Sequence, residues 1–525
     1  LPEMSVTGNG QEGQSRSIGD MKYQEKGDWQ MKKVLWICNI MLPAIARELG
    51  MPYSNREGWL SGIYDKTLKG EVPFEITVCF PMRKEDIDEV PVTGVLDCDA
   101  AEAEENAEGR SKGKRERNAG FLKIKGFRRP CYAFEEDLLK PENYDPVLEA
   151  RIRGILKDVK PDMIHIFGTE FPHCLAAVRA FHNPQKTLIG IQGLCGEIAK
   201  TYRAGLPENV FKQASFRDVV RRDSMRQQQY KFYQRAGNER QALLLTDHIT
   251  GRTEFDRAET AKINPRANYY SMNETMRQEF YEGRWKPEQT ECHSIFLGQG
   301  DYPLKGMHFL LEAMGRLKEN YPDLKLYVAG NSIISHETAK DRCRLSAYGK
   351  YLLVLIRLYE LQDRVIVLGR LSAEEMKAQF LRSSVFVCPS VMENSPNTIG
   401  EAMLLGVPVV ASRTGGIPSM VEDGVTGLLF HNEDVEDLAD SIGSGRIRCW
   451  QRNCRRMNGS GLPISMMAIR IMSGYWKYTG RFCNDHNVCF KLYQSPSDSL
   501  FQCDVCAVRG GLLLYPDGAD GRGTP

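Results

Sequence analysis

CPSVMENSPNTIGEAMLLGVPVVAS, residues 388–412, passes from the end of a strand through a loop into a helix and out into the next strand. Ser395 is suited to cap the helix, Pro396 to its first position, and Gly406 to the left-handed residue that ends it. A strand, a crossover helix and a second apolar strand make up the repeating unit of a parallel sheet. The pattern predicts that the free N–H groups of Asn397 and Thr398 lie at the carboxyl end of a parallel strand. An anionic phosphate is well received there without any side-chain charge.

The same alternation extends back to about residue 294. Strands are expected at SIFLG (294–298), LKLYVAG (324–330) and RVIVLG (364–369). Helices are expected from about Gly306 to Asn320, over a long stretch to about residue 360, and in EEMKAQFLRSS. Ser372-Ala373-Glu374-Glu375 is a capping box that opens the last of these. An earlier series of apolar runs, VLWICNIM (34–41), FEITVCF (74–80), MIHIFG (163–168) and TLIGIQG (187–193), has the same spacing. Near-continuous apolar strands imply sheets covered on both faces. The expected architecture is α/β, with two Rossmann-like parallel-sheet domains over residues 31–285 and 286–442, joined near YEGRWKPEQTE (281–291). A cleft between them is the default ligand site.

Glu393 lies just before the 396–405 segment and Glu401 inside it, so both are expected to face the cleft mouth at different depths. One carboxylate can grip sugar hydroxyls and the other ribose hydroxyls. This segment resembles the E-x7-E signature of the retaining family-4 glycosyltransferases, which have the GT-B fold. GQGDYPLKG (298–306), GRLSAEEM (369–376) and SRTGGIPSMVEDGVTGLLF (412–430) resemble the same family's donor-binding domain. In the first half, EGWLSGIY (57–64), PDMIHIFGTE (161–170) and TLIGIQGL (187–194) are similar to it as well.

The resemblance implies a nucleotide-sugar donor, a glycan or lipid-linked acceptor, and transfer with retention of configuration. It implies that Glu393 contacts the donor sugar and Glu401 the ribose, while Lys305 neutralises the departing diphosphate. Ser395, Asn397, Thr398, Gly306, Gln192 and Gln299 complete the expected donor-binding set. Fixed electrostatics of this kind stabilise a leaving group without a metal, so neither a metal nor another cofactor is expected. Two positions depart from the family pattern. Gln299 and Gly300 stand where many relatives carry an Arg, and Gln192 stands where many carry a His. Gln can hydrogen-bond a sugar hydroxyl but cannot titrate. These departures keep two other readings open: a non-catalytic nucleotide-sugar binder, and a GT-B epimerase.

Composition narrows the partners. With 69 Lys plus Arg against 68 Asp plus Glu, no global field recruits nucleic acid. No window approaches 18 uninterrupted apolar residues, so a cytoplasmic location is expected, compatible with peripheral contact at the inner membrane face. Residues 1–30 are read as a leader before Met31, and 97–118 as a charged, solvated insertion. Asp97-Cys98-Asp99, at its head, is not taken as a metal-binding D-x-D. His165 is read as a core histidine. Arg252 and Asp256 either line the cleft or form a helix-start ion pair.

Beyond about Ile442 the helical period is lost. Of the 15 cysteines, those at 449, 454, 483, 489, 503 and 506 crowd into the end of the chain. Cys503 and Cys506 could found a zinc site with Cys483 and Cys489. The preferred reading is that 443–525 is out-of-frame translation, because a displaced frame over Arg470–Thr479 can spell N-Y-E-R-L-L-E-I-Y, the apolar spacing of a closing helix.

Overall fold

The structure is a computed structural model, and it describes residues 31–52, 58–69, 74–90, 95–96, 121–124, 129–272 and 276–443. The leader, the 97–118 insertion with Asp97–Asp99, and the cysteine-rich tail from 444 onward lie outside the described residues.

Two sheets organise the chain. The first comprises β1 (Lys32–Ile37), β2 (Phe74–Met82), β3 (Val95–Leu96), β4 (Phe121–Ile124), β5 (Cys131–Glu135), β6 (Met163–Phe167), β7 (Thr187–Gly190), β8 (His248–Gly251) and β9 (Asn268–Ser271). Their order across the sheet is β3-β4-β5-β2-β1-β6-β7-β8-β9. The second comprises β10 (Glu291–Leu297), β11 (Lys325–Ala329), β12 (Val365–Gly369), β13 (Ser383–Cys388), β14 (Val409–Ser412) and β15 (Leu428–Phe430), in the order β12-β11-β10-β13-β14-β15. Every pairing in the second sheet is parallel. The first sheet is parallel except at one edge, where β4 runs antiparallel to both β3 and β5.

In both sheets the strand order reverses beside the opening strand, between β1 and β6 and between β10 and β13. Chains leaving adjacent strands there diverge to opposite faces and open a crevice at the carboxyl ends. The alternation of side chains explains why the sheets are buried on both sides. Val34 and Trp36 of β1 enter one core while Leu35 and Ile37 enter another. In β13, Val385 and Val387 face one core and Phe386 and Cys388 the other. Each such large apolar side chain contributes roughly 1.5–3 kcal/mol when fully buried.

Two local features differ from the sequence reading. The long helical stretch before residue 360 is broken into Ala339–Arg344 and Ala347–Leu358, because Thr338 and Ser346 each cap a separate start. The antiparallel edge strands β3 and β4 carry no pattern that marks them in the sequence.

The two sheets are also joined by a shared core. Tyr202, Leu206, Val210, Phe211 and Met225, all from the stretch between β7 and β8, pack with Leu304, Phe309, Leu310 and Leu355. Polar contacts reinforce this seam. His308 Nε2 donates to the Ala204 carbonyl (2.8 Å), and the buried Asp218 carboxylate accepts from Ala347 N (2.8 Å) at the start of a helix beside the second sheet.

Candidate active site

The strand order places the crevice of the second sheet at the loops leaving β10 and β13. After β10 the chain makes a short turn, Pro303–Lys305, and passes into the helix Met307–Leu317 through Gly306. Gly306 has φ 68°, and a Cβ there would lie 1.8 Å from the Pro389 carbonyl oxygen. Only glycine lets this turn press against the loop after β13. That close approach sets Lys305 beside Glu393: Nζ donates to Oε1 at 2.5 Å, and Ser390 Oγ donates to the same oxygen at 2.9 Å. Burial opposes charge on Lys305, but the Glu393 carboxylate outweighs it and raises the ammonium's pKa.

The loop after β13 is held from behind by glycines. Gly416 N donates to the Glu393 carbonyl (3.0 Å), and side chains at Gly415 or Gly416 would collide with the carbonyls of Glu393 and Asn394. The next helix runs Asn397–Leu405 and ends at Gly406 in the left-handed conformation. Its start corrects the sequence reading by one residue. Pro396, with extended ψ 116°, occupies the cap position, and no side chain caps the helix. Ser395, expected to do so, is buried with its Oγ unpartnered. Asn394 beside it is 7% exposed, and neither its Oδ1 nor its Nδ2 has a partner. Buried polar atoms left unsatisfied are expensive, and a cluster of them at a helix start is capacity for a polar ligand.

A cavity of about 340 Å³ opens at this point. Glu393, Asn394, Met392, Tyr302 and Leu304 line it from the second sheet, and Gln192, Gly193, Leu194, Tyr202, Phe232 and Phe255 from the first sheet's side. Gln192, just beyond β7, has a buried Nε2 without a partner.

The expected residues do not all meet there. Glu401 is turned away from the cavity: its Oε1 accepts from Arg277 Nε (2.8 Å) and Nη2 (2.7 Å), while Oε2 is buried and unpartnered. Burial pushes its carboxyl up to about 7, with Arg277 opposing. The expectation that both glutamates face one mouth holds for Glu393 alone. The helix begins only at Asn397, and Glu401, within it, is turned to the 276–281 segment, whose Met276 lies against Gly400. Gln299 is engaged by Asp301 (2.8 Å), and Thr398 packs its methyl against Gly298.

His165 is buried in the first sheet with burial lowering it to about 3, and its Nε2 lacks a partner. Arg252 and Asp256, for which the sequence leaves both cleft lining and a helix-start ion pair open, take different parts, joined by the Arg252 N–H donating to Asp256 Oδ2 (2.9 Å). Asp256 caps the helix Glu254–Ile263 in a box with Thr253, while Arg252 Nη1 donates to Asn397 Oδ1 (3.2 Å) across the cleft. The sequence reading passes over Asn394, Arg277 and Ser390. The place of Asn394 in the Glu393 loop is a signal that could have found it, but nothing in the local pattern marks Arg277. Among the described residues, no group of three or more His, Cys, Asp or Glu could hold a metal ion, and no helix is long and apolar enough to cross a membrane.

Two Rossmann-like parallel-sheet units meeting at their carboxyl ends over a cavity define the GT-B class of fold. The solved sucrose-phosphate synthase of Thermosynechococcus elongatus has the same fold, with TM-score 0.50 and 16% identity over 86% of this chain and 99% of that one. The second unit is more specific: residues 278–444 match the family model described as Glycosyl transferases group 1.

Relatives in sequence agree. The chain is 31% identical over 144 residues to WcaL of Escherichia coli (strain K12), a protein assigned as a colanic acid biosynthesis glycosyltransferase; the match covers 26% of this chain and 32% of that protein. It is 34% identical over 142 residues to a D-inositol 3-phosphate glycosyltransferase of Mycobacterium sp. (strain KMS), covering 27% of this chain and 29% of the relative. The match thus spans under a third of the length of these curated relatives.

Proposed function

We propose that the chain is a glycosyltransferase that moves a sugar from a nucleotide-sugar donor to a glycan or lipid-linked acceptor, with retention of configuration. The observation that carries this reading is the clustering of Lys305, Glu393 and the unpartnered Asn394 and Ser395 at the uncapped start of the helix Asn397–Leu405, beside the cavity. The match of residues 278–444 to group 1 glycosyltransferases supports it.

The bond between the anomeric carbon and the diphosphate oxygen breaks with the electron pair leaving on the diphosphate, while an acceptor hydroxyl oxygen bonds the anomeric carbon and yields its proton to the departing phosphate. The site must therefore meet growing negative charge on one side and a cationic sugar on the other. An entering diphosphate competes with Glu393 for Lys305, and the helix-start N–H groups assist. Glu393, so released, can accept hydrogen bonds from sugar hydroxyls. Glu401 lies on the same helix, paired with Arg277 of the separate 276–281 segment, and in this reading it would receive ribose hydroxyls once Arg277 moves.

A thermal-shift screen with UDP-, GDP- and ADP-sugars, followed by assay of nucleoside diphosphate release with a panel of acceptors, tests the proposal. Stabilisation by one donor class with acceptor-dependent release is expected. Stabilisation without release points to a binding protein, and altered sugar without acceptor to an epimerase.

A further inference from the structure

We propose that Arg252, carried by the first sheet, is a phosphate ligand for the nucleoside diphosphate bound at the second. The inference rests on the transferase reading above and extends it by naming a cation from the opposite side of the cleft.

Arg252 immediately succeeds β8, and its backbone is fixed. Its N–H donates to Asp256 Oδ2 (2.9 Å), and the next residue, Thr253, caps the helix Glu254–Ile263. The same turn is pressed onto the second sheet's loops. The Thr253 side chain lies against Gly416, and Glu254 N donates to Ser419 Oγ (3.1 Å). From this seam the guanidinium reaches Asn397, 145 positions away, with Nη1 donating to Oδ1 at 3.2 Å.

Asn397 is the first residue of a nine-residue helix that no side chain caps. A separate observation marks the spot as a ligand site: the neighbouring Asn394 side chain, more than nine-tenths buried, lines the cavity with both polar atoms unpartnered. Lys305, the nearby ammonium, is already matched by Glu393. A diphosphate carries more negative charge than one shared ammonium can balance. A guanidinium presents its donors in a planar fork suited to phosphate oxygens. Diphosphate held between Arg252 and the helix start would then tie the two sheets together through the ligand.

The test uses the full chain and calorimetric titration with UDP, GDP and ADP, and with the matching nucleoside as control. Two variants separate charge from latching: Arg252→Gln can still donate to Asn397, and Arg252→Lys keeps the charge without the fork. The diphosphate affinity should fall roughly 10- to 100-fold in Arg252→Gln and less in Arg252→Lys. Nucleoside affinity should stay within about twofold, and the salt dependence of diphosphate binding should weaken. Unchanged diphosphate affinity in Arg252→Gln would overturn the proposal, as would an equal loss for nucleoside and diphosphate, the mark of a purely structural contact. If the wild-type chain binds none of the three diphosphates, the transferase reading fails together with it.

Discussion

Among single residues, the Lys305–Glu393 pair and Gly306 bear the most direct tests. If Lys305 balances charge on the departing diphosphate, Lys305→Met should lower nucleoside diphosphate release by roughly 10²- to 10³-fold, the usual effect of removing one donor to a developing anion. That variant should still melt cooperatively, at a lower temperature because Glu393 loses its cation, and a release rate close to wild type would remove Lys305 from the chemistry. Gly306→Ala should act differently. Its φ of 68° and the 1.8 Å approach of a Cβ to the Pro389 carbonyl predict a stability loss of about 1–3 kcal/mol or more, visible as a lower melting temperature.

The identity of Lys305 and Glu393 is legible in the sequence. Their contact is not, since 88 positions separate them and only the glycine-mediated approach of two loops brings them together. Ser395 departs from expectation for a related reason: propensity favours both Ser at a cap and Pro one residue in, but here the loop geometry places Pro396 at the cap itself.

Among the secondary-structure elements, the helix Met225–Leu244 is instructive through Glu239. That side chain is 2% exposed and serves the start of another helix, Cys195–Thr201, by accepting from Cys195 N (3.0 Å) and Gly196 N (3.2 Å) as well as Thr169 Oγ1 (2.6 Å). Burial nevertheless pushes its carboxyl up to about 7, above the ordinary 4.5, and the same holds for Glu401. The folded chain therefore keeps protons that the unfolded chain releases between those values. Stability from these groups is fully present below pH 4.5 and is lost as pH rises toward 7. Melting temperature measured across that window should fall with rising pH, and Glu239→Gln should flatten the slope; an unchanged slope would refute the assignment.

Sequence periodicity finds the long central strands β1, β2, β6, β10 and β13 because both their faces are apolar. It finds neither β4 nor β9, which are four residues each and lie at or near sheet edges, where burial alternates or is partial.

For the chain taken together, the alternating pattern is enough to anticipate two Rossmann-like sheets, and the structure has them. How the sheets meet is not legible. The apolar residues Tyr202, Leu206, Val210 and Phe211 read locally as part of the first half, but they pack in the second half's core. Pattern within a segment reports that a face is buried, and not which partner buries it. Arg252 illustrates the same limit, since its reach to Asn397 depends on both sheets at once.

That shared core bears on how the polypeptide can be divided in the laboratory. Severing it near residue 285 and producing the pieces separately would leave Phe309, Leu310 and Leu355 of one fragment facing water without Tyr202, Val210 and Phe211 of the other. Fragments cut there should precipitate or associate when made alone and recover solubility when co-produced, as measured by the supernatant fraction after lysis.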